Sequence, residues 1–471
     1  MARLGREAAR HAVTGAAAPN QNDIIRNRLR QQPLTRTAMT SRIRTLTALL
    51  IAAAALPAQA FDLVEAWQQA RGYDASFAAA GYDRDAGHEK APQGRAGLLP
   101  QVALSADYSR TNLIQPSVAG GNFTTHGVGV QLTQPVFDVS KYTGYQKGKT
   151  SSALADTRFA ASEQQLIVDV AQAYFNVLLA QDTLASTQAT KKAFASQLEQ
   201  AKTAFEVGTA TITDTHEAQA GYDGAVAQEI LAESDLEIKR NALRRLTGLD
   251  PLAVQAVTPA LPLDQPTNVD LDGWIAQALA NNLDIKAQEQ NLALASQDLT
   301  EKRGQRLPVV SLTAGYKDNT DNSTLPAHTR ASSVGLQLTL PLYAGGGINS
   351  RVREAAANEN SAKDKLEATR RQVREQVRQA YLGVTSGAAL VKAQQQLLVS
   401  AKSKLDSTRL GKEVGVRTNL DLLQAEQEYY NDQTQLAKAR YNYLLAKLQL
   451  AQAAGQLGPQ QLAEVNAYIV R

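Results

Sequence analysis

Residues 171–180, AQAYFNVLLA, decide the fold, because a version of them returns at 378–387 as RQAYLGVTSG, with Tyr381 placed 207 residues after Tyr174. The same offset joins Val207-Gly208-Thr209-Ala210-Thr211 to Val414-Gly415-Val416-Arg417-Thr418, and Leu246-Thr247-Gly248 to Ala453-Ala454-Gly455. At an offset of 206, Gln131-Leu132-Thr133-Gln134-Pro135-Val136-Phe137 answers to Gln337-Leu338-Thr339-Leu340-Pro341-Leu342-Tyr343, and at 208 Leu99-Pro100 answers to Leu307-Pro308. One unit is therefore used twice. Repetition builds a bundle, a barrel or a duct more naturally than one asymmetric catalytic pocket. Prolines 251, 259, 262 and 266 mark a linker over 251–270 that cannot continue a helix. It separates a first repeat, 61–250, from a second, 271–457, which a tail at 458–471 follows.

Most of each repeat reads as helix. Residues 141–206 contain no proline and repeat apolar positions every seven, at Val170, Val177, Leu184, Leu198 and Phe205, with Lys191 the one polar member. Small residues such as Ala173, Ala180 and Ala201 follow three positions on. The second copy, 349–412, repeats the register at Val377, Val384, Val391, Leu398 and Leu405. This is the pattern of a coiled-coil seam whose small partners let helix axes approach closely. Return helices are expected over 212–247 and 419–454. A helix of about 65 residues reaches about 98 Å, roughly twice the length of a return helix. The helical stretches 62–97 and 271–306 supply the missing length if two short helices stack end to end beside each long one. On its own, such a seam describes an ordinary scaffold or stalk.

Between the helices the period changes to two. Val102, Leu104, Ala106 and Tyr108 alternate with Ala103, Ser105, Asp107 and Ser109, and Val128, Val130 and Leu132 with Gly129, Gln131 and Thr133. The second copy agrees, so strands are expected at 101–110, 127–135, 309–317 and 333–341, with long polar links from Arg110 to His126 and from Lys317 to Ser333. An isolated hairpin of this kind would be half-buried in a soluble protein. Nine tilted residues also suit a membrane strand, and Tyr108, Phe137, Tyr316 and Tyr343 stand where an interfacial aromatic girdle would place them. Four strands cannot close a barrel, and open edges in hydrocarbon leave backbone groups without partners, so several chains must share one.

Behind Arg42 and Arg44, the apolar run Leu46 to Leu56 is too short to span a bilayer and ends in Ala58-Gln59-Ala60, a small-residue cleavage signal. Residues 39–60 are read as a signal peptide, and 1–38 as a basic extension outside the mature protein. Residues 1–60 hold nine arginines and two acids, so the formal charge of +4 becomes −3 for the remainder, which removes the electrostatic basis for nucleic-acid binding. The chain has no cysteine, which excludes thiolate metal sites, a thiol nucleophile and disulfides. His88, His126, His216 and His328 are isolated in sequence, with no motif for metal, phosphate or acyl chemistry. No enzyme activity, cofactor or metal is expected.

Two tandem copies of short helix, strand pair, long helix, Val-Gly turn and return helix, behind a signal peptide, resemble the outer-membrane efflux protein family of TolC-like channel-tunnels over residues 61–466. Leu99-Pro100-Gln101, Gln131-Leu132-Thr133-Gln134, Ala173-Tyr174-Phe175-Asn176-Val177-Leu178, Leu340-Pro341-Leu342-Tyr343-Ala344-Gly345-Gly346, Val414-Gly415-Val416-Arg417-Thr418 and Ala439-Arg440-Tyr441-Asn442-Tyr443-Leu444 together carry the resemblance. It implies a mostly α fold with a membrane β-barrel part: a homotrimer with a 12-stranded barrel in outer-membrane lipid, continuous with a tube of twelve helices across the periplasm. Pro135 and Pro341 would be strand-to-helix hinges. The implied role is the passive exit duct of a tripartite efflux pump or type I secretion system. It would work with a periplasmic adaptor and an inner-membrane pump of the resistance-nodulation-division, ATP-binding-cassette or major-facilitator type. Val207, Gly208, Thr211, Val414, Gly415 and Thr418 would lie at the adaptor-contact tips.

The resemblance further implies a closed gate at those tips. Asp421 matches a ring of aspartates at the periplasmic constriction, whereas Gln424, three residues on, replaces a second one and weakens the case for strong cation preference. Thr213, Asp214 and Arg417 match residues that tie the inner helix pair to its neighbours. Lys412 replaces an aromatic tie, and an ion pair between Lys412 and Asp214 is expected in its place. Spacing alone would describe all of these as a solvated helix tip. Two rival readings remain open: a periplasmic coiled-coil scaffold or adaptor with a soluble β domain, and an adhesin with its helices outside the cell.

Overall fold

The computed structural model describes residues 61–112, 122–251, 254–259, 261–263, 270–322 and 327–469. The expected extension at 1–38 and signal peptide at 39–60 lie outside them. The first repeat runs α1 (Leu63–Tyr73), α2 (Ala75–His88), α3 (Lys90–Ala96), β1 (Gln101–Asn112), β2 (Asn122–Phe137), α4 (Val139–Glu206) and α5 (Ile212–Thr247). The second runs α6 (Leu271–Asn281), α7 (Leu283–Gly304), β3 (Val309–Asp321), β4 (Ala327–Thr339), α8 (Gly347–Glu413) and α9 (Asn419–Ala453), and α10 (Pro459–Asn466) follows.

Helices α4 and α8, of 68 and 67 residues, reach about 100 Å each. Asp138 starts α4 by accepting the amides of Ser140 and Lys141 at 2.8 and 3.1 Å. In the half nearer the strands, α2 and α3 lie along α4, and α7 packs between α4 and α8; in the other half α5 lies along α4, and α9 packs between α4 and α8. The layer therefore reads α5–α4–α9–α8 at the far end, with α5 and α8 at its two edges. The heptad positions Val170, Val177, Val377, Val384 and Val391 are all at most 2% exposed, and Ala425, Leu436, Ala439, Tyr443 and Leu450 of α9 are buried opposite them. Phe205, read as the last seam residue of α4, is instead 44% exposed, because the helix ends one residue later and has no facing turn to pack into.

The joints between stacked helices explain the third repeated motif. Just past the end of α9 lies Gly455, which has φ +70°, and a Cβ there would lie 2.5 Å from the Asn281 backbone. Asn282 caps α7 through the amides of Asp284 and Ile285 and donates its Nδ2 to the carbonyl of Ala453 at 3.0 Å, so one side chain locks both helix ends. Gly248, with φ +71°, takes the equivalent place against the Tyr73 ring, where α5 meets α1 and α2. Around the waist, Tyr174 is fully buried and donates its hydroxyl towards the carbonyls of Phe61 (3.2 Å) and Gln255 (2.9 Å), fastening the start of the first repeat and the linker to α4. Burial raises the Tyr174 phenol pKa, so it stays a donor. Tyr441 of α9 stacks on Phe175 at 5.8 Å and donates to Asp182 at 2.6 Å, which joins α9 to α4.

The four strands form one antiparallel sheet in the order β1-β2-β3-β4. They are longer than the alternation of apolar residues indicated: β1 continues to Asn112, β2 spans Asn122 to Phe137, β3 reaches Asp321 and β4 begins at Ala327. Much of each polar link expected from Arg110 to His126 and from Lys317 to Ser333 is therefore paired strand. The reason is physical: strand beyond a buried band keeps its ladder but loses the hydrophobic signal that marks it in sequence. The remainder of the links, 113–121 and 323–326, lies outside the described residues. Tyr108 and Tyr316, placed at strand ends by sequence, consequently stand within β1 and β3. Pro135 lies inside β2, where pairing with β3 slips between Pro135 and Phe137, and the junction with α4 falls at Asp138. A proline at such an irregularity avoids breaking a regular ladder. Pro341 lies between the end of β4 and the start of α8, beside the exposed Leu342 and Tyr343.

Replacing Gly455 by alanine forces an L side chain into the left-handed region against backbone, and should destabilise the chain by at least about 1–2 kcal/mol. Gly72→Ala, in α1 with open space around it, should cost nothing. Thermal unfolding followed by helical circular dichroism compares the two, and equal midpoints would contradict the joint.

Candidate functional site

Two surfaces stand out: the two faces of the sheet and the helix tips at the opposite end. The pairing register puts Val102, Leu132, Ala314 and Val334 in one row across all four strands, with Leu104, Val130 and Tyr316 in the next and Leu312 and Leu336 on the other side. Val102, Leu104, Val334, Leu336 and Leu338 are 65–79% exposed. A contiguous apolar face of this size is not left to water; it requires lipid or a partner. The reverse face carries Gln101, Thr133, Thr313 and Gly335 in one row and Ala103, Gln131, Gly315 and Ser333 in the next. Lys317 and Asp107 face one another on it at 4.0 Å. One side suits hydrocarbon and the other suits a wet passage. Among the described residues, β1 and β4 each have a single partner strand, so both outer edges of the sheet are open. Among the same residues no helix is long and apolar enough to cross a membrane.

At the tips the two copies are built alike. Val207 and Val414 end α4 and α8, and Gly208 and Gly415, with φ 78° and 80°, reverse the chain. Thr211 then caps α5, and Thr418 caps α9. Thr211 accepts the Asp214 amide at 3.2 Å while Asp214 accepts the Thr211 amide at 2.8 Å; Thr418 and Asp421 do the same at 3.1 and 2.9 Å. Sequence reading treated Asp214 and Asp421 only as gate residues and missed that they close reciprocal capping boxes. The signal was present in Thr211-Ile212-Thr213-Asp214 and Thr418-Asn419-Leu420-Asp421, a cap with an acidic residue three positions on. Hydrogen bonds from the Thr backbone and then the Thr hydroxyl hold both carboxyls below the ordinary aspartate pKa, and for Asp421 the Arg417 charge adds to this. Asp421 is thus a fixed anion, and Gln424 is exposed one turn further along α9.

The ion pair expected between Lys412 and Asp214 does not form within the chain. Lys412 Nζ donates to Gln200 Oε1 of α4 at 2.8 Å, and Asp214 is engaged by its own cap. The geometry explains this, since α5 lies beyond α4 from α8, and Gln200 is the nearer acceptor. Gln200 was not singled out by sequence, because nothing local marks a contact across 212 residues. Thr213 is exposed, and among the described residues Arg417 makes no ion pair in the chain; its amide closes the turn onto Gly411 at 3.1 Å. Val207, Val414, Val416, Ile212 and Leu420 are 49–75% exposed, an apolar tip on an otherwise polar rod end. Between the tips of α4 and α9 lies an open crevice of about 310 Å³ that includes Gln200, Lys412 and Glu426.

A sheet with one lipid-compatible face and one polar face, carried on rods of about 100 Å, defines an envelope channel protein with a helical extension. The model of the outer membrane efflux protein family matches residues 66–249 and 274–456, one match for each repeat. The chain is 34% identical over 426 residues to outer membrane protein TolC of Escherichia coli K12 (87% of this chain, 85% of the relative). It is 32% identical over 424 residues to the proteases secretion protein PrtF of Dickeya chrysanthemi (87% and 92%). Its fold superposes on the Campylobacter jejuni CmeC outer membrane channel with a TM-score of 0.76 at 17% identity, covering 87% of this chain and 90% of that one. The chain belongs to the outer membrane efflux protein family. It is an outer-membrane exit duct with a large periplasmic helical part, not a soluble scaffold.

Thr418→Ala removes one half of the α9 capping box and should cost about 1 kcal/mol. Because the Asp214 and Asp421 pKa values are lowered on folding, the stability they contribute is present above the unfolded aspartate pKa of about 3.9 and is lost as pH falls through the folded values below it. Thermal midpoints measured from pH 7 down to 3 should fall more steeply in the parent than in the Asp214→Asn/Asp421→Asn double variant. Parallel curves would show that the caps contribute nothing to acid sensitivity.

Proposed function

We propose that three copies of the chain close one 12-stranded barrel and continue it as a twelve-helix tube, forming a passive duct for small molecules or proteins delivered from an inner-membrane transporter. The observation that carries this is the pair of open edges, β1 and β4, on a sheet whose apolar face is continuous across every strand. Two copies would give eight strands, whose interior side chains fill, whereas twelve leave a wet lumen for the Thr, Gln and Ser face. The helical layer supports the same count, because its free edges α5 and α8 would meet across chain boundaries and carry four helices per copy around the tube.

The tips form the gate. Thr213 and Asp214 on α5 and Arg417 at the α8–α9 turn stand at opposite edges of one chain, so Arg417 ties to Thr213 and Asp214 of a neighbour. Lys412 holds α8 to α4 through Gln200, a neutral acceptor in place of the pair first expected. Three Asp421 carboxylates, kept ionised by their caps, ring the constriction, while Gln424 leaves the second ring uncharged. The exposed valines of the Val207-Gly208 and Val414-Gly415 turns receive a periplasmic adaptor. That PrtF is named for protease secretion and the family for efflux supports both cargo classes; the partner pump selects between them.

Reconstitution into planar bilayers tests the reading. The parent should open small, steady conductances, and Lys412→Ala or Gln200→Ala should enlarge them by releasing α8 from α4. Asp421→Asn should reduce cation preference, read as a shift of reversal potential towards zero in a salt gradient. Absence of any conductance would contradict the duct, and conductance unchanged in Lys412→Ala would remove Lys412 from the gate.

A further inference from the structure

On the apolar face of the sheet, the strand ends remote from the helices carry a second chemistry. Continuing the rows upward by alternation, Leu104, Val130 and Tyr316 are followed by Ala106, Val128, Asp318 and Arg330, and then by Tyr108, His126, Thr320 and His328, with Arg110 beyond them on β1. Charge is sorted by face here: the apolar side holds Arg110 and Arg330, beside the imidazoles of His126 and His328, against the single acid Asp318, whereas the polar side holds Asp107 and Asp321 against Lys317. Arg330 Nε donates to Asp318 at 3.0 Å, and His328 Nε2 lies 2.5 Å from the same carboxylate, which holds both side chains on the sheet. Their side chains nevertheless remain 67% and 50% exposed, and Arg110 and His126 are exposed as well.

We propose that this rim binds the phosphate groups of anionic lipid in the membrane leaflet that surrounds it. The uncharged rows from Val310 to Tyr316 run about 20 Å along the strand, within the height of a barrel's hydrocarbon belt, and the next row already carries Asp318 and Arg330. Tyr108 and Tyr316 stand at its upper margin, where aromatic rings mark the headgroup boundary. The four cationic or imidazole groups are therefore held at headgroup height, facing lipid and not the lumen. Guanidinium forks donate to phosphate oxygens in a bidentate fashion, and an imidazole N–H adds a further donor. Asp318 does not fill this role; it orients Arg330 and His328. The proposal rests on the shared-barrel reading, which would place β4 of one chain beside β1 of the next, so that Arg330 and His328 meet Tyr108 and Arg110 across each chain boundary and form three equivalent sites.

The test is native mass spectrometry of the full chain released from neutral detergent. It is titrated with a six-chain glucosamine-disaccharide lipid bearing two phosphates, with the same lipid after phosphatase treatment, and with inorganic phosphate as competitor. The parent should prefer the phosphorylated lipid, and Arg110→Gln/Arg330→Gln should weaken that binding on the order of tenfold, whereas Lys317→Gln, which removes a cation from the opposite face, should leave it unchanged. The single variants Arg110→Gln and Arg330→Gln give the same readout should the double variant fail to assemble. Equal binding of the two lipids, equal loss in Lys317→Gln, or displacement by inorganic phosphate at matched concentration overturns the proposal. The same spectra report the oligomer: an intact oligomer without lipid preference refutes the rim and leaves the barrel, while monomers that keep the preference refute the barrel and leave the rim.

Discussion

Backbone groups in hydrocarbon must find partners within protein, and this one constraint organises the molecule. A four-stranded sheet with an apolar face satisfies its three internal ladders and leaves two edges, β1 and β4, that no strand among the described residues meets. Each unsatisfied peptide group in lipid costs several kcal/mol, so the sheet is stable in a membrane only as a segment of a closed cylinder. On the proposed shared-barrel reading, self-association is then a condition of folding. The internal duplication follows naturally, since a hairpin copied once supplies four strands with alternation in phase and lets one lumen face run through both halves.

The helices extend that lumen without needing lipid. Their seams bury valine, leucine and alanine against one another, and the small residues let the rods approach closely enough to form a layer one helix thick. Long rods with weakly apolar faces would slide or bend without fixed points, and the structure supplies these by burying polar side chains with specific partners. Tyr174 pins the linker and the chain start, Tyr441 with Asp182 pins α9 to α4, and Asn282 with Gly455 locks the joint where one short helix stacks on the next. At the tips the packing is lighter and the valines are exposed, while capping boxes hold the helix starts. Dense, polar-pinned packing at the waist and lighter packing at the tip is the distribution the proposed gate at the tips would use.

Much of this was legible in the residues. The heptads at Val170 and Val377 and their 207-residue offset describe long paired helices because helical periodicity is a local property that persists over many turns. The strands were legible only where one face is apolar; Thr111, Thr124, Asp318 and His328 sit in regular ladder that reads as loop, since nothing about a solvated strand demands alternation. Pro135 was expected to be a hinge because the resemblance implied it, whereas its place in β2 depends on how β3 pairs beside it. At the tips, the positions of Val207, Gly208, Val414 and Gly415 followed from the repeat. The role of Asp421 as a capping residue was written in Thr418-Asn419-Leu420-Asp421 and passed over in favour of the resemblance. The contact of Lys412 with Gln200 was not legible, because it depends on which rods are neighbours, and that is a tertiary fact.

The central claim, that neighbouring copies complete one cylinder edge to edge, is tested most directly by paired cysteines on a chain that has none of its own. Ala103 or Ser105 on β1 and Ser333 or Gly335 on β4 all lie on the polar face at the two open edges. Oxidation of membranes carrying one β1 and one β4 cysteine in each chain should yield a covalently closed trimer with a mass of three chains, at the one or two pairings that match the inter-chain register. Chains that remain uncrosslinked monomers at every pairing, or that close a disulfide within themselves, would contradict the account.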